Sequence, residues 1–160
     1  MNRIVGTQEH PLLVVSCKVL TQAEESPHGP ALFRRLAKLT REGTRLLVTA
    51  AEPDQWFPTR GTEDSVLGTQ GRLHQRLQEV GGDFDGIYYV PRSVFTQDRK
   101  RTAALQDILS RYQTEAANTR LVSQSRAFLK AAERLEIQTL ALEKDGSATE
   151  RFLEALESES

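Results

Sequence analysis

Two short stretches and a few isolated side chains hold most of the reactive groups in this chain. Ser16-Cys17-Lys18 sets a hydroxyl, a thiol and an ammonium in three successive positions, and Arg99-Lys100-Arg101 is an unbroken basic run. A serine hydroxyl is a poor nucleophile without a neighbouring base, and a lysine offers a hard cation no oxygen. A basic run is usually solvated surface, and its chemical alternative is to hold an anion. Cys17 is the only cysteine, so neither an internal disulfide nor a thiolate zinc cluster can form. It has no partner nearby in sequence and reads as a packed residue. His10, His28 and His74 are scattered, without metal-ligand spacing.

Such groups must be positioned by regular elements, and the apolar pattern supplies them. Pro11-Leu12-Leu13-Val14-Val15 is a continuous apolar run, as in a strand buried on both faces. Arg45 to Thr49, Ile87 to Val90, Arg120 to Val122 and Ile137 to Leu142 read as four further strands. Between them, Ser26 to Gly29 is a loop, and Pro30 opens a helix with Leu32, Phe33, Leu36 and Leu39 at helical spacing, stopped by Gly43. A helix capped by Thr62 or Asp64 turns Val66, Leu73, Leu77 and Val80 inward and ends at Gly81-Gly82. Pro91 to Arg101 is polar, and Leu105, Ile108, Leu109 and Tyr112 mark the next helix. Ala127 to Leu135 is another, and Ser147 to Glu150 has capping-box spacing before a terminal helix burying Phe152, Leu153 and Leu156. Strands alternating with helices predict a parallel sheet covered on both faces. Ligands of such sheets bind at the carboxyl ends of the strands. The residues there are Ser16 to Lys18, Thr49 to Glu52, Pro91 to Arg101 and Ser123 to Ser125.

The chain has 160 residues and a net charge of −1, with 38% hydrophobic and 27% charged residues. One core fits this length, and the balance predicts neither disorder nor nucleic-acid binding. No run reaches membrane-spanning length, and the N-terminus lacks the build of a signal peptide, so a cytoplasmic protein is expected. Residues 1–10 are expected to fray and 11–160 to form one domain. The segment from Ala50 to Gly61 is long for a connection and carries Trp56 and Phe57 between prolines, either tucked in or exposed as an interaction anchor.

The stretch Phe84-Asp85-Gly86-Ile87-Tyr88-Tyr89-Val90-Pro91 resembles the Phe-Asp-Gly-Ile-Tyr-Tyr-Cys-Pro-His segment of haloacid dehalogenase (HAD) superfamily phosphatases acting on heptose bisphosphate and histidinol phosphate. Val90 stands where they have a metal-binding cysteine, and Arg92 where they have a histidine. Leu47-Val48-Thr49 and the pattern from Val122 to Ala132 extend the resemblance over about Leu12 to Leu142. It implies a HAD-like, Rossmannoid three-layer α/β sandwich with a five-stranded, mainly parallel sheet. It puts Ser16 at the nucleophile position and Lys18 at the acid/base position, where the family has aspartates. Thr49 matches the hydroxyl that holds a phosphoryl oxygen. Arg99 to Arg101 fall near the family's lysine, and Gln124 and Phe128 stand at two metal-binding aspartates. The resemblance therefore implies a fold without catalytic residues, a pseudophosphatase needing no metal or cofactor. It would bind a phosphorylated sugar or similar anion through Lys18, Thr49, Arg99 and Lys100, or a protein partner, but not nucleic acid or membrane. The alternatives are a Mg²⁺-dependent sugar-phosphate phosphatase with atypical residues, and a scaffolding subunit.

Overall fold

The computed structural model describes residues 11–51, 62–91 and 97–158. The N-terminal ten residues, the Trp56 segment and Arg92 lie outside the described residues. Five strands, β1 (Leu12–Ser16), β2 (Arg45–Ala51), β3 (Gly86–Val90), β4 (Thr119–Ser123) and β5 (Gln138–Ala141), form one sheet in the order β3-β2-β1-β4-β5. All four pairings are parallel. The helices are α1 (Cys17–Glu24), α2 (Gly29–Arg41), α3 (Thr62–Glu79), α4 (Asp98–Arg111), α5 (Arg126–Arg134) and α6 (Ala148–Glu157).

The apolar run in β1 is buried along its length because successive side chains enter different cores. Leu13 and Val15 join a cluster built with α1, α2, α3 and α6, including Leu20, Leu36, Leu73 and Phe152. Leu12 and Val14 join a second cluster with Leu105 and Ile108 of α4 and Leu129 and Ala132 of α5. The period of two along a strand produces this division, and burying each large aliphatic side chain contributes about 1.5–3 kcal/mol. The chain moves outward from β1 to β3, then returns to β4 beside β1. The carboxyl ends of β1 and β4 thus form a topological switch point, where a crevice opens.

Gly43 ends α2 as expected: with φ at 110° it lets Thr44 N–H donate to the Leu39 carbonyl at 2.9 Å. Gly81 closes α3 in the same way, at φ 91°. Three expectations need correction. No helix was expected between the first strand and Pro30, yet α1 starts directly after Ser16. Its buried residues are only Val19, Leu20 and Ala23, too few for periodicity to show in eight residues. The stretch up to Arg101 is not all irregular, because α4 opens at Asp98. The capping box does not form. Ser147 donates its hydroxyl to the Asp145 carboxylate at 2.5 Å and caps nothing.

Candidate functional site

The sheet register aligns the strand ends. Ser16 lies opposite Thr49, Val15 opposite Val122, and Ser123 opposite Ala141. Above them opens a cleft of about 750 Å³, lined by Ser16, Cys17, Lys18, Thr49, Arg101, Ser123 to Leu129, and Ala141 to Lys144, among others. Ser16, Lys18, Thr49, Gln124 and Phe128 are therefore brought together. Arg99 and Lys100 do not line the cleft and are exposed. The third residue of the basic run, Arg101, lines it with its side chain only 15% exposed, and Asp98 holds its guanidinium at 3.3 Å.

Ser16 precedes the first turn of α1 in extended conformation, and its hydroxyl does not cap that helix. Lys18 follows one residue inside α1 and is exposed. Cys17, between them, is half-buried, and burial pushes its thiol above the ordinary value. A thiol held protonated is no thiolate nucleophile at neutral pH. Thr49 is 7% exposed, and its side chain has no hydrogen-bond partner among the described residues. A buried hydroxyl facing a cleft without a protein partner leaves room for one from a ligand.

The β4–α5 turn is tied down by its own polar groups. Ser125 Oγ accepts from Phe128 N–H at 3.3 Å and caps α5, while Ser123 Oγ accepts from Ser125 N–H at 3.0 Å. Gln124 Nε2 donates to Gln22 Oε1 at 2.8 Å and to the Glu143 carbonyl at 2.9 Å. Only an amide nitrogen can donate to that carbonyl, so the chemistry of the acceptor fixes the orientation of the amide. This side chain ties α1, the start of α5 and the segment after β5 to one another. Phe128, 7% exposed, is part of the second core.

Charged side chains on the described lining are Lys18, Arg101, Arg126 and Lys144 against Glu143 alone. Arg126, Glu143 and Lys144 escaped the sequence reading. Nothing in the turn composition before α5 or after β5 marks which side chains face inward.

No protein-family model and no curated protein sequence matches the chain. Solved structures do. D,D-heptose 1,7-bisphosphate phosphatase from B. bronchiseptica, complexed with magnesium and phosphate, superposes with a TM-score of 0.58 at 15% identity, covering 94% of this chain and 99% of that one. The enzyme of the same name from Burkholderia thailandensis gives 0.54 at 17%, over 89% and 98%. A HAD-like phosphatase from Mesorhizobium loti gives 0.58 at 15%, over 99% and 91%. The protein has the HAD-like phosphatase fold.

Within this HAD-like fold the described donor set does not fit Mg²⁺. That ion takes oxygen ligands, with carboxylates supplying compensating charge. The only carboxylate on the described lining belongs to Glu143, which is exposed and 4.0 Å from Arg126. Gln124 turns N–H groups, not its oxygen, to its two partners. Among the described residues no three His, Cys, Asp or Glu side chains gather as a metal site. No described helix is long and apolar enough to cross a membrane.

Proposed function

We propose that this HAD-like chain is a binding module for a phosphorylated ligand, an anion held in the cleft without metal and without hydrolysis. The observation that carries this reading is the charge of the described lining, four cations against one carboxylate. A site built for Mg²⁺ concentrates negative charge, whereas this one has the sign that attracts a phosphate. In this reading the Thr49 hydroxyl donates to a phosphoryl oxygen. Arg101, oriented by Asp98, supplies a charge-assisted hydrogen bond, and Lys18 places its ammonium where a metal's charge would otherwise fall.

Hydrolysis would need a nucleophile and a group to move its proton. Ser16 has no basic neighbour in the sheet register, where it lies opposite Thr49 on β2 and Val15 before it lies opposite Val122 on β4. Lys18 is exposed and cationic, and Cys17 is held protonated by burial.

The test is a thermal-shift titration with inorganic phosphate, in EDTA and in Mg²⁺, on the full chain and on Arg101→Gln. A ligand at a hundred times its dissociation constant stabilises by about 2.7 kcal/mol, or about 5–10 °C at this chain length. The expected shift is equal with and without Mg²⁺ and is lost in Arg101→Gln, while Arg99→Gln retains it. A shift that requires Mg²⁺, or metal-dependent release of phosphate from a sugar phosphate, would sink the reading.

A further inference from the structure

The cationic lining does not stop at the cleft mouth. Arg126, the first residue of α5, is on the lining with its side chain 85% exposed. Lys130 and Arg134 follow at four-residue intervals and are also exposed, while Phe128, Leu129, Ala131 and Ala132 fill the buried side of the same helix. Four-residue spacing keeps the three cations on one outer face, so a basic stripe leads from the cleft along α5. At its far end Arg134 pairs with Asp98, which brings the first turn of α4 alongside with exposed Arg99 and Lys100. Asp98 and Glu133 are the carboxylates of these two helix surfaces near the stripe, with Glu133 accepting from Thr139 Oγ1 at 3.3 Å, and Glu143, off the helices, lies 4.0 Å from Arg126 at the cleft end. In a chain of net charge −1, this concentration of cations is a marked local asymmetry.

We infer that the ligand is a phosphorylated segment of a partner protein, its phosphoryl group in the cleft and acidic residues beside it on the α5 stripe. This inference rests on the anion cleft proposed above and names the class of molecule that enters it. Two features favour a peptide. Of the two buried hydroxyl residues on the described lining, Thr49 and Ser123, Ser123 already accepts from Ser125 N–H, which leaves Thr49 to anchor a single phosphoryl group and not a ladder of evenly spaced phosphates. From Arg126 to Arg134 the stripe runs about 12 Å at 1.5 Å per residue, the reach of about three to four extended residues. Arginine and lysine clusters beside a phosphate pocket are a recurring way of reading phosphorylated acidic motifs.

The test uses the full chain and a fluorescent nine-residue peptide carrying one phosphoserine followed by four glutamates. Its unphosphorylated counterpart, inorganic phosphate and a short single-stranded oligonucleotide serve as comparisons. The phosphopeptide is expected to bind about tenfold tighter than the unphosphorylated peptide, with phosphate competing. Lys130→Glu, a surface change away from the cleft, is expected to weaken phosphopeptide binding about three- to tenfold and steeply reduce its salt dependence. The same variant should leave the thermal shift with inorganic phosphate unchanged. Unaltered phosphopeptide affinity in Lys130→Glu would overturn the inference while leaving the cleft reading intact. Tighter binding of the oligonucleotide than of the phosphopeptide would overturn it in favour of nucleic acid. No thermal shift with phosphate in the wild-type chain would overturn the cleft reading, and this inference with it.

Discussion

Replacing Gln124 by glutamate keeps the shape of the side chain and removes its donors. The native amide gives N–H bonds to Gln22 Oε1 and to the Glu143 carbonyl, so Gln124→Glu turns a carboxylate oxygen toward two acceptors. Each unsatisfied or opposed contact costs about 1–3 kcal/mol. Gln22 can rotate its amide and donate, which relieves one of the two. The backbone carbonyl of Glu143 has no such freedom. Gln124 is partly exposed, and Lys18 and Arg126 share its cleft, so the net loss should be about 1–2 kcal/mol at pH 7. At this chain length that lowers Tm by about 3–6 °C. The sign with pH follows from linkage. The folded state raises the pKa of the introduced carboxyl above the unfolded value of about 4.3, because only the protonated acid can donate to the Glu143 carbonyl. A raised pKa contributes stability that is present below the unfolded value and lost as pH rises through the folded one. The deficit against wild type should therefore shrink from pH 7 to pH 4.5 in urea denaturation monitored by circular dichroism. A variant as stable as wild type at pH 7, or a deficit that grows on acidification, would refute the role given to this amide.

Other perturbations test the scaffold. Glu24 accepts from Arg72 at 2.8 and 2.9 Å and from Arg76 at 2.5 Å, and hydrogen bonding to Arg72 holds its carboxyl below the ordinary value. A lowered pKa contributes stability above the unfolded value that fades as pH falls, so Glu24→Gln should destabilise at pH 7 and converge with wild type below about pH 4 in the same denaturation assay. Burial, helped by the hydrogen bond to Asp107, pushes the Tyr88 phenol up to about 12. Ultraviolet absorbance of the phenolate should show this tyrosine ionising last, and Tyr88→Phe should remove that late phase. At Gly86 an added Cβ would meet Tyr112 Oη at 2.6 Å, so Gly86→Ala should cost about 1–3 kcal/mol by chemical denaturation, with the loss reduced in a Tyr112→Phe background.

What could be read from the sequence follows from how strongly each element is written. The strands announce themselves because β1, β2 and β4 sit between two cores and need apolar residues on both faces. The Ile87 to Val90 stretch reads as a strand for a different reason. It lies at the sheet edge, where Tyr88 and Tyr89 keep apolar rings half-buried while their hydroxyls reach Asp107 and Gln70. Two helix ends carry no glycine stop, because Gln113 and Glu136 take the positive φ that Gly43 and Gly81 take elsewhere. In the basic run the missing datum was helical phase. Once α4 is known to start at Asp98, Arg101 falls three and four residues before buried Ala104 and Leu105, on the inner side, while Arg99 and Lys100 turn outward. That phase cannot be assigned while the run is read as loop, because a loop gives its side chains no common period.

The scaffold and the site are physically separable here, and that bears on metal dependence. Leu12 to Val15, Leu46 to Val48, and Leu121 with Val122 pack into the two cores, and the cleft begins only where those runs end. Carboxylates crowded at such strand ends repel one another until a cation neutralises them, so a metal-binding site couples stability to the metal. The described strand ends of this chain satisfy one another instead. Ser123 accepts from Ser125, Ser125 accepts from Phe128, and Gln124 bridges Gln22 and Glu143. On the metal-free reading proposed above, a fold held this way gains nothing from a divalent ion. Adding Mg²⁺, or stripping metal with EDTA, should leave the melting temperature of the ligand-free protein unchanged. A clear rise in Mg²⁺ would require a carboxylate cluster at these strand ends and would overturn the metal-free reading of the site.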